Sequence, residues 1–426
     1  GSEMCIRDRF GVTAFAVSTV LVSFMGGMAL GAALLGKKAD QVQRPLRMFA
    51  ILEGSIGLYA LVLPLLLLGV DWVYTLAYPM LPEGVLIRSL FRFVMCLLLL
   101  LVPTVLMGAT LPALGRGLLR RKGQVGLGVG LLYFVNTLGA SIGCFLAGFT
   151  LIPGIGLRGT TALAVLFNFL IAAAAWWLDR GEAGSSDLPD EVTPDAVPAE
   201  PDVPHTAPAS WPLWVAFGSG MAALAFEIVW FRILVLSFGS TVYSFSAMLS
   251  VFLLGIALGS ILLGPVADRA ARPLRVLTLI QLGVAVFSLA GYLAVNEMPD
   301  LFLKTITWMG IDFDGMNRTK LLLSLVTLLP PALAFGGTFP VVVRLYSRQE
   351  AGTGARIGRV YAWNTAGAIL GSFGAGFILL PLMGSEWVLQ AVIVLSLVLT
   401  LGSILAEPGP LRTAWALPVG GLVLLV

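Results

Sequence analysis

Charge is scarce in this chain. Acidic and basic residues make up 12% of its 426 residues, where a soluble globular domain carries about a quarter. Histidine occurs once, at His205, and cysteine three times. Cys96 and Cys144 lie within apolar runs and Cys5 lies near the N-terminus, so there is no disulfide framework and no metal-ligand spacing. His205 falls in an acidic, proline-rich stretch, where an imidazole is solvated. These shortages exclude a metal centre and a histidine-based catalytic site. The formal net charge of +3 gives no case for a nucleic-acid partner. What is plentiful is apolar surface, at 58% of residues. Apolar runs long enough to cross a hydrocarbon layer of roughly 30 Å recur along the chain, so the expected partner is the lipid bilayer.

The chain also matches itself in a single register, without a gap. Phe10-Gly11 falls on Phe238-Gly239, and at that same offset Gly27, Gly31 and Gly36 fall on Gly255, Gly259 and Gly264. Asp40, Arg44, Pro45 and Arg47 fall on Asp268, Arg272, Pro273 and Arg275. Later, Gly108, Thr110 and Pro112 meet Gly336, Thr338 and Pro340; Asn136, Gly139, Gly143 and Pro153 meet Asn364, Gly367, Gly371 and Pro381. One register held this long points to a duplicated unit, a construction known among membrane transporter folds. The expected fold class is therefore an all-α, multi-spanning membrane protein of duplicated six-helix repeats.

In the second copy the apolar runs predict spans near 211–236, 241–263, 273–296, 317–345, 355–380 and 384–405. The first copy supplies counterparts near 10–36, 45–69, 87–119, 126–152 and 156–178. A counterpart of the first span is not found. Residues 1–9 share nothing with the partner run Val229–Ser237 and read as a foreign tail, similar to translated adapter sequence. The organisation expected is thus a tail over 1–9, a truncated repeat over 10–178, a linker over 179–210, a six-helix repeat over 211–406 and the start of a further apolar segment over 407–426. The linker is rich in acid and proline, has no apolar period and cannot bury enough surface to fold.

Lysine and arginine set the orientation. Lys37, Lys38, Arg44 and Arg47, with Arg269, Arg272 and Arg275, follow the second helices; Arg116, Arg120, Arg121 and Lys122, with Arg344, Arg348, Arg356 and Arg359, follow the fourth. The intervening loops hold scattered basics such as Arg88, Arg158 and Lys304. Both copies then point the same way, with the basic loops cytoplasmic.

Several motifs admit a functional and a structural reading. Gly36-x-x-x-Asp40-x-x-x-Arg44 and Gly264-x-x-x-Asp268-x-x-x-Arg272 join the second and third helices of each copy. The glycine allows a turn, and the acid can cap the next helix or pair with a basic residue. This placement and charge order resembles the cytoplasmic loop motif of the major facilitator superfamily. Glycines four apart (Gly27/Gly31, Gly139/Gly143, Gly255/Gly259 and Gly367/Gly371) open flat faces for close helix packing. On the facilitator likeness, Gly27/Gly31 would meet Gly367/Gly371 across the halves, and Gly139/Gly143 would meet Gly255/Gly259. Pro103 and Pro112, and Pro330, Pro331 and Pro340, flank Thr110 and Thr338, and predict kinked or partly unwound fourth helices. Freed carbonyls and threonine hydroxyls there can contact a polar ligand or be satisfied by neighbouring helices. Glu227 and Arg232 lie inside an apolar run, where charge is costly and usually functional or paired. Glu53, Asn136 and Asn364 complete the candidate intramembrane polar set; the asparagines serve interhelical hydrogen bonding as readily as ligand contact. Gly126-Leu-Gly128-Val-Gly130 lacks the preceding strand of a nucleotide loop, and Asp312-Phe-Asp314-Gly315 has Leu323 where a calcium loop needs glutamate.

The runs Ser219–Arg232, Phe238–Phe245 and Gly255–Gly259 resemble the membrane region of the bacterial fused facilitator/spermidine synthase proteins, with Glu227-x-x-Trp230-x-Arg232 the most specific part. The likeness covers residues 10–426. It implies a bacterial inner-membrane protein and, beyond the membrane region, a Rossmann-like polyamine aminopropyltransferase domain binding decarboxylated S-adenosylmethionine and a diamine. No glycine-rich strand-to-helix turn or acid cluster follows Leu405, so no catalytic residue, cofactor or metal is expected in this sequence. Two roles stay open for the membrane part: an anchor or regulatory module for a synthase domain, or a transporter of a polyamine or another small polar solute.

Overall fold

A computed structural model describes residues 14–82, 85–122, 125–182, 210–347, 353–407, 416 and 418–421. The expected tail over 1–9 and most of the linker lie outside the described residues. Every element among those described is helical. In lipid this is the state in which each backbone N–H and C=O is satisfied within its own segment. The helices are α1 (Ala14–Gln41), α2 (Pro45–Ala77), α3 (Val85–Lys122), α4 (Val125–Leu146), α5 (Ile152–Glu182), α6 (Trp211–Phe238), α7 (Val242–Arg269), α8 (Pro273–Ala294), α9 (Met298–Met309), α10 (Phe313–Ser347), α11 (Thr353–Phe373) and α12 (Ser385–Leu405).

Among the described residues ten runs are long and apolar enough to cross a membrane, and the molecule is a multi-pass membrane protein. One of these runs, Phe134–Arg180, bends within itself at Gly156, whose φ of 71° is open to glycine and unfavourable for other residues. Gly384 makes the matching break before α12, with φ 86°. In both places a short π-helical stretch comes first, over Ala147–Leu151 and Gly374–Leu379. Pro153 and Pro381 explain it: each lacks the N–H that would continue the i→i−4 ladder, so the preceding turn widens.

Element starts carry the same spacing as the sequence. Helices α1 to α4 begin at Ala14, Pro45, Val85 and Val125; α7, α8, α10 and α11 begin at Val242, Pro273, Phe313 and Thr353. Each later start is displaced from its earlier counterpart by the offset that carries Phe10 onto Phe238. Pro45 and Pro273 occupy the first helical position, where a missing N–H costs nothing. Thr241 caps α7, its hydroxyl oxygen accepting from the Ser244 N–H at 3.2 Å.

Packing pairs α1 with α3, α7 with α10, α6 with α11, α2 with α5 and α8 with α12; α4 then lies along α7, and α1 along α11. The tightest seams are reciprocal. A Cβ on Gly31 would fall on the Val105 carbonyl of α3, and one on Gly108 would fall on the Met28 carbonyl of α1. Gly259 meets Leu333, and Gly336 meets Ile256, in the same way between α7 and α10. The largest core lies in the later helices, where Phe226 and Trp230 of α6, Phe252 of α7 and Leu277 of α8 are fully buried. A smaller cluster of Phe49, Leu52, Ala109, Ala113 and Ala175 holds α2, α3 and α5.

Four expectations need correcting. The helices that carry the glycine pairs do meet, α1 on α11 and α4 on α7, but not through those glycines: Gly27/Gly31 and Gly255/Gly259 pack on α3 and α10, and Gly367/Gly371 on Phe217 and Met221 of α6. No described residue comes within 4 Å of a Cβ built on Gly139 or Gly143. A GxxxG spacing specifies close approach without specifying by what. Second, of the two forms expected of the proline-bearing helices, kinked or partly unwound, the unwound one does not occur: α3 and α10 are continuous through Pro103, Pro112, Pro330, Pro331 and Pro340. Third, the start of the expected linker is helical, because α5 continues to Glu182 and buries Asp179. Finally, α9 is an extra short helix between the third and fourth spans of the later run, with Trp308 77% exposed on it.

A direct check follows from the seams. Gly259→Val should cost about 1–3 kcal/mol or more by forcing α7 away from the Leu333 backbone. Gly264→Ala, with Pro340 no nearer than 3.7 Å, should be near neutral. Thermal melting of the two variants in the same detergent distinguishes them, and equal melting temperatures would contradict the seam.

Candidate functional site

Glu227 lies near the middle of α6, the most enclosed helix. This residue is half-buried and lines a small cavity of about 10 Å³ with Phe231 of the same helix, Phe245, Met248, Leu249 and Phe252 of α7, and Leu328 of α10. That volume holds about one water molecule at most. The lining is otherwise apolar, so an ionised carboxylate would lack the donors that offset its desolvation. Arg232 does not supply them: it is exposed, and no ion pair joins it to Glu227 among the described residues. Five residues of helix turn it to another face of α6.

The other candidate residues are dispersed. Gln281 of α8 is fully buried and donates from Nε2 to Thr338 Oγ1 on α10 at 3.1 Å, while its Oε1 has no partner among the described residues. In the earlier run the same positions hold Glu53 and Thr110. There Thr110 turns back onto the Met107 carbonyl at 2.7 Å, and Glu53 is half-buried on α2. Asn364 of α11 donates to the Ala216 carbonyl of α6 at 3.1 Å, an interhelical bond of the structural kind. Asn136 on α4 is exposed. These residues therefore do not converge on one polar site with Glu227.

The loop motif does its visible work through its arginines. Arg44 Nη1 and Arg47 Nε each lie 3.6 Å from Asp179 Oδ2, tying the start of α2 to the end of α5. Arg47 also stacks over Trp176 at 4.5 Å. Arg272 Nη1 and Arg275 Nε lie 3.3 and 2.5 Å from Glu407 Oε1, tying the start of α8 to the chain just beyond α12. The offset that matches Arg44 and Arg47 to Arg272 and Arg275 also carries Asp179 onto Glu407. Arg344 adds a guanidinium hydrogen bond to the Ala267 carbonyl at the end of α7. Gly36 and Gly264 fall within the last turns of α1 and α7, and the side chains of Asp40 and Asp268 lie outside the described residues.

Sequence reasoning missed both clamp acids and one buried cation. Asp179 was hidden in the composition of an acidic stretch, although its match to the Glu407 position under the repeat was available. Lys320 of α10 is 2% exposed and donates to Thr241 Oγ1 at 3.4 Å. Its counterpart in the repeat register is Arg92, which donates to the Tyr74 hydroxyl at 2.9 and 2.8 Å. The matched basic pair was the available signal. No cluster of three or more histidine, cysteine or acidic side chains able to hold a metal occurs among the described residues.

No protein-family model matches the chain, and no curated protein sequence matches it.

Asp179→Asn and Glu407→Gln should each cost about 1–2 kcal/mol, above a lone exposed pair because each carboxylate answers two guanidinium groups. Double-mutant cycles with Arg47→Gln and Arg275→Gln should show non-additivity that weakens in high salt. Glu227→Gln, which keeps the shape and removes the charge, should leave the melting temperature unchanged or raised. A marked loss would show that an ionised partner has been overlooked.

Proposed function

We propose that the chain is the membrane-embedded region of a polyamine aminopropyltransferase-like protein of the bacterial inner membrane. In this reading it anchors or regulates a synthase domain of the same polypeptide and is not a solute route. Its architecture is read as two facilitator-type units. The helix starts repeat at one offset, and shifting α1 and α11 by that amount in opposite senses exchanges the α1–α11 contact for the α7–α4 contact. Such an exchange is what a pseudo-two-fold axis along the membrane normal produces. The clamps, placed at the same two positions of each unit, support the same reading.

One observation favours the anchor over the transporter. A cationic solute needs room beside an intramembrane acid, and Glu227 lines a cavity of only about 10 Å³, shared with five apolar side chains of two other helices and one of its own. Sites for small organic ligands run to roughly 300–1,000 Å³. The carboxyl group is better explained as a packed polar residue between α6, α7 and α10.

The test uses the full-length protein in sealed vesicles. Uptake of labelled putrescine or spermidine should equal that of protein-free vesicles, for wild type and Glu227→Gln alike. Aminopropyl transfer should be present and should survive the substitution. Saturable uptake abolished by Glu227→Gln would overturn the anchor reading and install the transporter.

A further inference from the structure

A larger cavity lies at the ends of α8 and α12 remote from the arginine clamp. Arg272 and Arg275 sit at the start of α8 and Glu407 just beyond α12, whereas the cavity lies where α8 ends and α12 begins. It measures about 230 Å³ and is lined by Tyr292, Leu293, Val295, Asn296 and Glu386. Two facing pairs build its polar wall. Tyr292 and Asn296 are one helical turn apart, at the end of α8 and in the 3₁₀ turn that closes it. Glu386 and Gln390 are one turn apart at the start of α12, directly after the break at Gly384. The Gln390 amide joins the two sides, donating from Nε2 to the Tyr292 hydroxyl at 3.0 Å. Tyr292 also packs against the cluster that holds Ala285, Ile393 and Leu397, so its ring is fixed.

Packing alone does not call for this set. At the repeat offset the positions of Tyr292, Asn296, Glu386 and Gln390 hold Pro64, Leu68, Arg158 and Ala162. Helices α2 and α5 nevertheless pack together as α8 and α12 do. α2 also runs on to Ala77, whereas α8 stops at Ala294 and leaves the cleft beside Glu386. We propose that this cleft binds a compact organic cation carrying one primary ammonium group. The Glu386 carboxylate is its counter-charge, and it makes no ion pair or hydrogen bond with a described residue. The Asn296 amide oxygen accepts an ammonium hydrogen, and the Tyr292 ring adds the attraction of an aromatic face for a cation. Leu293 and Val295 take a short apolar tail. One carboxylate suits one positive charge, and the volume lies below the roughly 300–1,000 Å³ of sites for larger organic ligands. Between Tyr292 and Gly310, Glu297 and Asp300 against Lys304 leave an excess of negative charge that draws cations to this end. Binding here needs no route across the bundle, so the inference goes beyond the anchor reading and does not depend on it.

The test is isothermal titration of n-butylammonium into the full chain in detergent at low, fixed ionic strength, with n-butanol as the neutral control. Saturable binding of one equivalent of the amine, and none of the alcohol, is expected. Glu386→Gln keeps the shape of the side chain and should weaken the amine's binding about tenfold or more. Asn296→Leu should weaken it by less. Glu297→Gln removes a neighbouring acid that does not line the cleft and should leave binding unchanged. Glu386 and Asn296 are both exposed, so melting temperatures equal to wild type should accompany each variant. Absence of saturable amine binding overturns the proposal, as does binding that Glu386→Gln leaves intact. An equal loss from Glu297→Gln would reduce the site to a diffuse negative field, and equal binding of butanol would make it an apolar pocket; either result overturns it as well.

Discussion

Backbone-to-backbone contact at glycine is the constraint on which the rest of this molecule depends. Among lipid tails there is no hydrophobic gain in bringing one apolar helix to another, so association rests on dispersion contact and interhelical hydrogen bonds. The reciprocal seams Gly31–Val105 with Gly108–Met28, and Gly259–Leu333 with Gly336–Ile256, bring main chains within the reach of a missing side chain. With α7 and α10 so joined, Phe245, Phe252 and Leu328 line one small cavity with Glu227. The tight placement of α10 likewise puts Thr338 beside Gln281 of α8. A polar contact in this interior is a result of the seam and not its cause.

Much of the architecture was legible because lipid imposes few options. Long apolar runs announce helices, and the repeat register recurs in helix starts and in the paired breaks at Gly156 and Gly384. The glycine spacings correctly marked close approach, but which helix would fill each gap depends on tertiary placement that one sequence period does not contain. The prolines marked disturbed helices without fixing the form of the disturbance: α10 stays continuous through three of them, with Thr327 bonded back to the Leu323 carbonyl in the same stretch. Asp179 was lost to composition. An acid at the end of an apolar helix and the first acid of an acidic, proline-rich stretch look alike in sequence until a partner such as Arg47 is seen.

The candidate site was legible as a residue and not as a place. Glu227 stood out because a carboxyl group within an apolar run is rare, and the structure half-buries it beside a small apolar cavity. The companions inferred from membrane depth alone, Glu53, Asn136, Asn364, Thr110 and Thr338, go separate ways. Asn364 serves helix packing, Thr338 serves Gln281, and Thr110 serves its own helix. Depth is shared by every residue on one level of a bundle; direction is what makes a site, and direction comes from packing.

The two clamps have an electrical consequence. Each sets two guanidinium groups against a single carboxylate, so neutralisation is incomplete and one positive charge is left over at each clamp. The pairs lock the helix ends mechanically while keeping a positive charge bias there, of the kind that sets orientation in membrane proteins. A one-to-one pairing would have held the helices together and erased the bias; a surplus of arginine achieves both at once. The surplus also sits at the ends of the apolar spans, the depth at which lipid phosphates lie, so the fold carries its own counter-charge to the headgroup layer.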